Sequence, residues 1–318
     1  TRAPAPARPG PAAVVIDATG LHYRVLNERI HAAVAAGARS IVLEGVCGQR
    51  YIGDGLEGDL AIEVRGVPGS DLGAFMRGPR IDVRANAQDG VGNTMSDGLV
   101  AVHGDAGDIP GHSMRGGRVY IRGDAGYRVG IHMKAYGDEF PVVIVGGTVR
   151  DFVGEYMAGG LLVVLGLPGG HGRPPGRAND AGRLLGDFAG TGMHGGAILV
   201  RGAVDPRCVG REVAIDPAGP ADLAALIHLF AGTDGFRAFG VGDLFATLRG
   251  AHGEETALAL GALAVCRSRR LVETRFPTLH RAFPRRELLP PARYDIDATY
   301  GGALRGLLDE GVDVAVVV

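Results

Sequence analysis

The sequence predicts a mainly β protein, a right-handed parallel β-helix, and an internal repeat carries that prediction. A unit of the form G-x-x-M-x-G-G, followed by a short β-run and a glycine, recurs through residues 53–202 of the 318-residue chain. All six methionines occupy the M position, with spacings of 19, 19, 19, 24 and 36 residues. A period of about 20 residues indicates a solenoid, and this unit is too short to contain a long helix. Parallel crossovers wind right-handed, which sets the expected hand of the coils.

The M position marks the side chains that we expect to point into the solenoid in one stacked column. Leu56 fills this position one unit before the first methionine, so the repeat predicts about seven coils. Methionine suits an interior with irregular gaps because its side chain is flexible. The glycines of the unit are expected where the chain turns its corners. The predicted inward column consists of Leu56, Met76, Met95, Met114, Met133, Met157 and Met193.

The residues before the repeat are expected to form an arm and a cap. Residues 1–13 are rich in proline and alanine, which favours a flexible arm. A short strand is predicted over 14–16 and the next one over 40–44, with a helix over about 21–36 between them. Because a β-helix leaves an open edge at each end, we interpret this helix as the N-terminal cap.

Local signals predict where that helix begins and ends. Asp17 or Thr19 is the expected N-cap, and Gly37 is the expected stop. The periodicity predicts a single apolar face facing the coils. That face consists of Leu26, Ile30, Ala33 and Val34.

The repeat stops after Gly202, and the composition changes there. We therefore place the β-helix domain at 14–205 and a partly helical C-terminal extension at 206–318. Within the extension, apolar spacing predicts one helix over 222–230 and a second from 254 to about 271. The extension is expected to cap the second end of the solenoid and to provide a docking surface.

Two insertions lengthen individual coils. They are residues 134–141 and residues 167–185. In solenoids, insertions become loops on one flank, and that flank is often the one that binds a partner. An ordinary surface loop explains both insertions equally well, so the two interpretations stay open at this point.

Composition excludes several classes of function. The net charge of −2 and the lack of a basic face disfavour nucleic-acid binding. Lys134 is the only lysine and stands in no P-loop. Cys47, Cys208 and Cys266 are too far apart for a disulfide framework or a cluster motif, as is typical of a cytoplasmic protein. No apolar run reaches the roughly 18 residues of a membrane span.

Few residues suggest chemistry of their own. Residues 53–58 spell a dinucleotide-binding fingerprint, but they follow no βα unit and are simply the first copy of the repeat. His132 and His194 flank the M position without the spacing of a zinc site. Lys134 is expected to be a solvated or interfacial cation rather than an amine nucleophile. Cys47 is expected to be a buried structural thiol rather than a group facing a partner's active site.

The repeat also resembles a known family. The runs 47–53, 126–134, 154–160 and 190–196 are similar to the GXGXG domain of the large subunit of glutamate synthase. The form that they resemble most is the one found as a separate subunit, and the resemblance covers about residues 14–205. A more distant similarity is to the C subunit of formylmethanofuran dehydrogenase, which uses the same repeat.

The resemblance implies a non-catalytic assembly subunit in the cytoplasm. In glutamate synthase a glutaminase releases ammonia from glutamine, and a synthase with FMN and an iron–sulfur cluster uses it for the reductive amination of 2-oxoglutarate. This chain would bind neither cofactor, and it would dock the glutaminase and synthase subunits. The candidate interface residues are Arg50, Arg128, Lys134, Glu155, His171 and Arg173.

Two alternative functions are kept. One is a scaffold in a complex like formylmethanofuran dehydrogenase or in a related amine-transfer complex. The other is an enzyme with its own site between the β-helix and residues 210–318, although no nucleophile–base pair stands out in the sequence. Only the enzyme interpretation predicts that the isolated chain binds a cofactor or turns over a substrate.

Overall fold

The computed structural model of the protein describes residues 13–136, 139–166, 183–217 and 263–268. These residues contain helix α1 (Tyr23–Ala35) and one 11-stranded sheet. The strands are β1 (Val14–Asp17), β2 (Ser40–Cys47), β3 (Ala61–Val67), β4 (Arg77–Val83), β5 (Asp97–Val102), β6 (Arg118–Ile121), β7 (Val142–Val145), β8 (Ala158–Val164), β9 (Gly195–Arg201), β10 (Val213–Pro217) and β11 (Leu263–Ser268).

Strands β1 to β9 follow one another across the sheet, and each pairs in parallel with the next. One strand per coil, stacked on the next coil, is the signature of a solenoid, so the predicted parallel β-helix is confirmed. Strands β3 to β9 are seven strands with six complete turns between them. The solenoid therefore has about six turns where seven coils were expected.

Two columns of aliphatic side chains fill the interior. The pairing register places each of these residues directly above its counterpart in the coil before. Every member is at most 1% exposed, so the columns form a continuous core rather than separate clusters. The first column is Ile41, Ile62, Ile81, Val100, Val119, Val143, Leu162 and Ile198, and the second is Leu43, Val64, Val83, Val102, Ile121, Val145, Val164 and Val200.

The predicted inward column at the M position is confirmed. Its seven members belong to the same buried core. Met76, Met95, Met114, Met133 and Met157 are 0% exposed, Met193 is 1% exposed and Leu56 is 3% exposed. The regular spacing of the methionines in the sequence therefore corresponds to one equivalent buried position in each coil.

At one corner of the coils, side-chain oxygen atoms accept hydrogen bonds from backbone amides of the next coil, and we call this series the acceptor ladder. The sequence analysis did not predict it. Asn86 Oδ1 accepts the amide of Asp105 at 2.9 Å, and Asp105 Oδ1 accepts the amide of Asp124 at 2.9 Å. Asp124 Oδ1 in turn accepts the amide of Thr148 at 2.7 Å. In a second series, Asp89 Oδ1 accepts the amide of Asp108 at 2.8 Å, and Asp108 Oδ1 accepts the amide of Tyr127 at 2.9 Å. Each carboxylate or amide thus satisfies a backbone donor of the next coil.

Helix α1 packs on the core as predicted. Leu26 and Ile30 are 0% and 1% exposed, and Ala33 and Val34 pack partly buried against the core. The predicted apolar face is therefore confirmed. In the part of the chain that the structure describes, no helix is long and apolar enough to cross a membrane.

The predicted N-caps of α1 are wrong. The N-cap is His22, whose Nδ1 accepts the amide of Arg24 at 3.4 Å. Asp17 instead accepts the amide of Thr19 at 2.9 Å and stabilises the turn before the helix. Gly37 follows the C-cap with φ of 94°, so the predicted stop is confirmed.

The C-terminal extension continues the sheet where a helix was predicted. Residues 263–268 are strand β11, which pairs antiparallel with β9 and with β10. The predicted helix from 254 to about 271 is therefore wrong at these residues, because the backbone edge of β9 is paired by a strand. The rest of that helix and the predicted helix over 222–230 lie outside the described residues.

The methionine column predicts a cavity cost. We expect Met114→Ala to lower the free energy of unfolding by about 2–5 kcal/mol, because it removes a fully buried side chain. Met114→Leu should cost less than about 1.5 kcal/mol, because it conserves volume. Chemical denaturation measures both, with the exposed Arg115→Ala as the control. Equal stability of the alanine variant and the parent protein would contradict an inward Met114.

The side-chain ladder predicts a difference between two variants of one residue. Asp105→Ala leaves the amide of Asp124 without its acceptor and should cost about 1–3 kcal/mol of stability. Asp105→Asn keeps an oxygen at the same place, as Asn86 does naturally one coil earlier, and should be close to neutral. Thermal denaturation of the two variants distinguishes them. A large loss in the asparagine variant would show that charge, and not the hydrogen bond, is the important property.

Candidate functional site

The side of the solenoid that carries the M position consists of repeated tight turns, and we call it the turn edge. Its seven copies are residues 51–56, 71–76, 90–95, 109–114, 128–133, 152–157 and 188–193. The first, third and fifth residues of every copy have φ between 52° and 79°. All eleven non-glycine residues with positive φ in the described chain occupy first or fifth positions of these copies. Left-handed backbone, which L-residues rarely adopt, is therefore the shared geometry of this edge.

Hydrogen bonds between coils hold this unfavourable backbone in place. The amide of the fifth residue donates to the carbonyl of the fourth residue in the next copy, six times in succession. For example, the amide of Phe75 reaches the carbonyl of Asn93 at 2.9 Å, and the amide of Thr94 reaches that of His112 at 2.8 Å. A left-handed residue costs about 1–3 kcal/mol, and it persists here because its neighbours fix it on both sides.

Packing decides which positions of the turn carry side chains. The third position is glycine in all seven copies, and a Cβ there would lie 2.5–3.1 Å from a core side chain of the following coil. At Gly55, a fifth position, a Cβ would meet nothing within 4 Å. Most first and fifth positions carry side chains that point outward, although a Cβ at Gly90 or Gly192 would lie 2.6 Å from Asp71 or 2.5 Å from Tyr156. The chemistry of the turn edge has to come from these positions and from the fourth.

Aromatic rings dominate the outward positions. Phe75, Tyr156 and Phe188 are 58%, 47% and 54% exposed. The ring of His132 stacks on Tyr156 with centroids 5.2 Å apart, and Phe152 stacks on Phe188 at 5.1 Å. Exposed aromatic side chains on a rigid frame are typical of protein interfaces, because they bury a large area at a small entropic cost.

Two of the predicted interface residues meet on this edge. Arg128 Nε lies 3.0 Å from Glu155 Oε2, and the guanidinium of Arg128 lies 5.1 Å from the centroid of Phe152. The contact is an ion pair without hydrogen-bond alignment, since Glu155 Oε2 makes no hydrogen bond within the described residues. Glu155 was predicted to be an interface residue, but it is only 9% exposed. Its place is beneath Arg128, and Arg128 is the member of the pair that faces solvent.

Arg50 lies at the opposite end of the turn edge. Its guanidinium is 5.2 Å from the ring centroid of Tyr23 and 5.7 Å from that of Tyr51. Its carbonyl accepts a hydrogen bond of 2.9 Å from Asn27 of α1. Arg50 thus joins the capping helix to the first coil. It lies four coils away from Arg128, a separation of about 19 Å at the usual strand spacing.

A row of polar side chains, Asp71, Asn93, His112 and Ser113, crosses the middle coils, and we call it the polar file. Asn93 donates through Nδ2 to Asp71 Oδ1 at 2.9 Å, and its Oδ1 lies 3.0 Å from Nδ1 of His112. The Nε2 of His112 lies 3.4 Å from the hydroxyl of Ser113. Because Oδ1 of Asn93 accepts, Nδ1 of His112 has to donate, and Nε2 of the neutral ring is left as an acceptor towards Ser113. This contact between His112 and Ser113 was not recognised in the sequence.

The surroundings of His112 favour its neutral form. Burial lowers the pKa of His112 below its usual value, electrostatic repulsion between the His112 and His132 imidazoles lowers it further, and Asp71 opposes both. The two imidazole centroids are 6.2 Å apart. The file therefore holds an uncharged histidine at neutral pH, with its acceptor nitrogen directed at a hydroxyl.

The described parts of the insertion at 134–141 are residues 134–136 and 139–141, and they contact an earlier coil. Tyr136 and Glu139 form an antiparallel bridge, and Glu139 makes an ion pair of 2.7 Å with Arg77. Lys134, at the start of this insertion, is half-buried. His171 and Arg173, the two candidates from the second insertion, lie outside the described residues.

Two further expectations concern single residues. Cys47 was expected to be buried, but it is exposed at the end of β2, so that prediction is wrong. The ring contacts of His132 are with Tyr156 and His112 and not with His194. Among the described residues, no three His, Cys, Asp or Glu side chains are grouped so that they could hold a metal ion.

Comparison with known proteins identifies the family. The sequence matches the model of the GXGXG motif family over residues 25–231. It is also 54% identical over 213 residues to an uncharacterized protein of Methanocaldococcus jannaschii, covering 66% of this chain and 79% of that relative. The chain therefore belongs to the GXGXG motif family, whose domain occurs in proteins of the glutamate synthase type. The predicted resemblance is confirmed at this level.

The His112–His132 pair predicts a pH dependence. The pKa of His112 is lowered in the folded state, so its stabilising contribution is complete above its usual value of 6.5 and is lost as the pH falls. We expect His132→Gln to raise the pKa of His112 and to reduce the loss of stability between about pH 7 and pH 5. NMR titration of the imidazole and denaturation at each pH measure the two effects.

The control for this pair is His194→Gln, which changes an exposed histidine whose ring does not contact His112. It should leave both the titration and the pH dependence unchanged. An unchanged pKa of His112 in the His132 variant would contradict the electrostatic coupling.

Proposed function

We propose that this protein is a non-catalytic assembly subunit of a glutamate-synthase-like complex in the cytoplasm. In this complex it docks a glutaminase subunit and a synthase subunit that binds FMN and an iron–sulfur cluster, and the complex carries out glutamine-dependent reductive amination of 2-oxoglutarate. The observation that carries the proposal is the turn edge of a GXGXG family member, a rigid frame that presents exposed aromatic and arginine side chains.

The geometry of the turn edge supports docking more strongly than catalysis. Backbone amides that could stabilise an oxyanion are already used in hydrogen bonds between coils. The amide of Ser113 donates to the carbonyl of Ile131, and the amide of His132 donates to the carbonyl of Glu155. Side chains at the first and fifth positions instead project in register on a fixed backbone. A rigid surface binds with a small entropic cost, because few of its groups become ordered on association.

Two clusters along the edge are suited to contact partners. In one cluster Arg50 lies against Tyr23 and Tyr51, and in the other Arg128 lies against Phe152, which stacks on Phe188. Tyrosine, phenylalanine and arginine are enriched at interface hot spots. Two separated clusters on one frame fit a subunit that contacts two partners and fixes the distance between them.

A second candidate function is supported by the polar file. The Asp71–Asn93–His112–Ser113 contacts resemble a hydroxyl nucleophile with an oriented base, which would make the isolated chain an enzyme. The distance of 3.4 Å between His112 and Ser113 is long for such a pair. This candidate predicts an activity of the purified chain that Ser113→Ala abolishes.

Co-purification tests the assembly function. We expect the tagged chain, isolated from a native cell extract, to retain a glutaminase activity and a flavin absorbance that are both lost when the partners are stripped off. The combined Phe75→Ala and Phe188→Ala variant should weaken retention about tenfold or more, because a truncated aromatic hot spot costs at least about 1–2 kcal/mol.

Val15→Ser is the matched control, since Val15 is 63% exposed but lies on β1, away from the turn edge. This variant should retain partners as the parent chain does. A purified chain that binds neither partner would refute the assembly function. If the tagged chain instead retains subunits of a formylmethanofuran-dehydrogenase-like complex or of another amine-transfer complex, the scaffold role would hold, but in that complex and not in a glutamate-synthase-like one.

A further inference from the structure

We propose that a groove along helix α1 binds a free α-amino acid. In this site Arg24 and Arg50 hold the carboxylate of the ligand, and Glu28 holds its ammonium group. The proposal goes beyond the assembly function, because it concerns a small ligand of the chain itself, and it holds whichever complex the protein joins.

One side of α1 forms the groove, which is open to solvent and has a volume of about 510 Å³. Its lining residues are Tyr23, Arg24, Asn27, Glu28 and His31. They share one side of the helix, beside the apolar face that packs on the core. Small-molecule sites commonly measure about 300–1,000 Å³, so the groove has room for an amino acid.

Two guanidinium groups meet at the end of the groove where α1 begins. The guanidinium carbon of Arg24 lies 5.9 Å from the ring centroid of Tyr23, and that of Arg50 lies 5.2 Å from the same centroid. Within the described part of the chain, neither arginine makes an ion pair. Each fork therefore keeps N–H groups that are available to a carboxylate, which a guanidinium binds through two parallel hydrogen bonds.

Contacts with neighbouring groups hold both arginines at this end. Arg24 Nε donates to Tyr23 Oη at 3.3 Å. Asn27 Nδ2 donates to the carbonyl of Arg50 at 2.9 Å, and the guanidinium of Arg50 lies 5.7 Å from the ring centroid of Tyr51. The cations thus come from two elements whose relative position is fixed, and such a preorganised site binds with a small entropic cost.

Glu28 provides the opposite charge one helical turn away. Residues four apart are neighbours on a helix surface, where an arginine and a glutamate commonly pair. Arg24 and Glu28 make no such ion pair in the described structure, since Arg24 is turned towards Tyr23. Both side chains line the same groove, so a cation and an anion stay separated on its two sides.

This separation of charge selects the class of ligand. In an α-amino acid the carboxylate and the ammonium group are joined through one carbon atom, so a single ligand satisfies both sides of the groove. A phosphate or a dicarboxylate would bring a second negative charge close to Glu28. An amine without a carboxylate would face two arginines and leave both of them without an anion.

The site touches one of the two clusters that we propose as partner contacts, because Arg50 and Tyr23 belong to both. A bound partner would therefore compete with the amino acid at Arg50. For this reason the test uses the isolated full-length chain. Its result does not depend on assembly, and the co-purification test does not depend on an amino acid, so a failure of either is recognised separately.

Saturation-transfer NMR tests the ligand class. The probes are the protein amino acids, added one by one to the full-length chain, and then the amide and the N-acetyl derivative of the one that gives the strongest signal. We expect transfer to the free amino acid and little transfer to either derivative, because one lacks the carboxylate and the other lacks the ammonium group. Transfer to none of the amino acids, or equal transfer to a derivative, would overturn the proposal.

Two substitutions test the two sides of the groove. Arg24→Gln and Glu28→Gln should each weaken binding of that amino acid about tenfold or more, because each removes a charge-assisted hydrogen bond. The matched control is Arg29→Gln, which removes an exposed charge from the same helix outside the groove and should bind as the parent chain does. Unchanged binding in either groove variant, or equal weakening in the control, would contradict the proposed site.

Discussion

The fold depends on one repeated backbone geometry, the left-handed residue followed by a buried methionine or leucine. Each such residue is unfavourable by itself, but its amide is held by the next coil and its neighbour fills the core. Each of the first six turns needs the turn after it, since that turn accepts the hydrogen bond of its fifth residue. Stacking is therefore a condition for the turn and not only its consequence.

The same constraint explains the distribution of residue types. Glycine is required at the third position of each turn because a side chain there would enter the core of the next coil. Most first and fifth positions point outward, so they vary from Gly55 to Phe75 to Tyr156. Function can change on this frame without changing the fold, and the exposed side chains are the part of the molecule that differs from coil to coil.

The sequence predicted those parts of the structure that repeat. The six methionines and Leu56 identified the solenoid and its inward column, and the face of α1 followed from helical periodicity. The acceptor ladder of Asn86, Asp105 and Asp124 was missed although it shows the same 19-residue spacing, because polar side chains at corners are usually solvated.

Other parts of the structure depend on tertiary contacts. Glu155 is buried beneath Arg128 of the preceding turn, and no spacing rule in the sequence indicates that these two residues meet. The segment around β11 carries apolar residues at helical spacing, yet it pairs with β9, because an edge strand offers backbone partners that propensity cannot reveal. The His112–Ser113 contact escaped attention because adjacent residues rarely face each other, and only the left-handed turn brings them together.

Hydroxyl-radical footprinting of the turn edge, in the isolated chain and in the complex that we propose, would test the docking role. We expect Phe75, Tyr156 and Phe188 to be oxidised in the isolated chain, as their exposure requires, and to be protected on assembly. Tyr120, which is already buried, should be protected in both states. Equal oxidation of the three exposed rings before and after assembly would contradict a docking role for the turn edge.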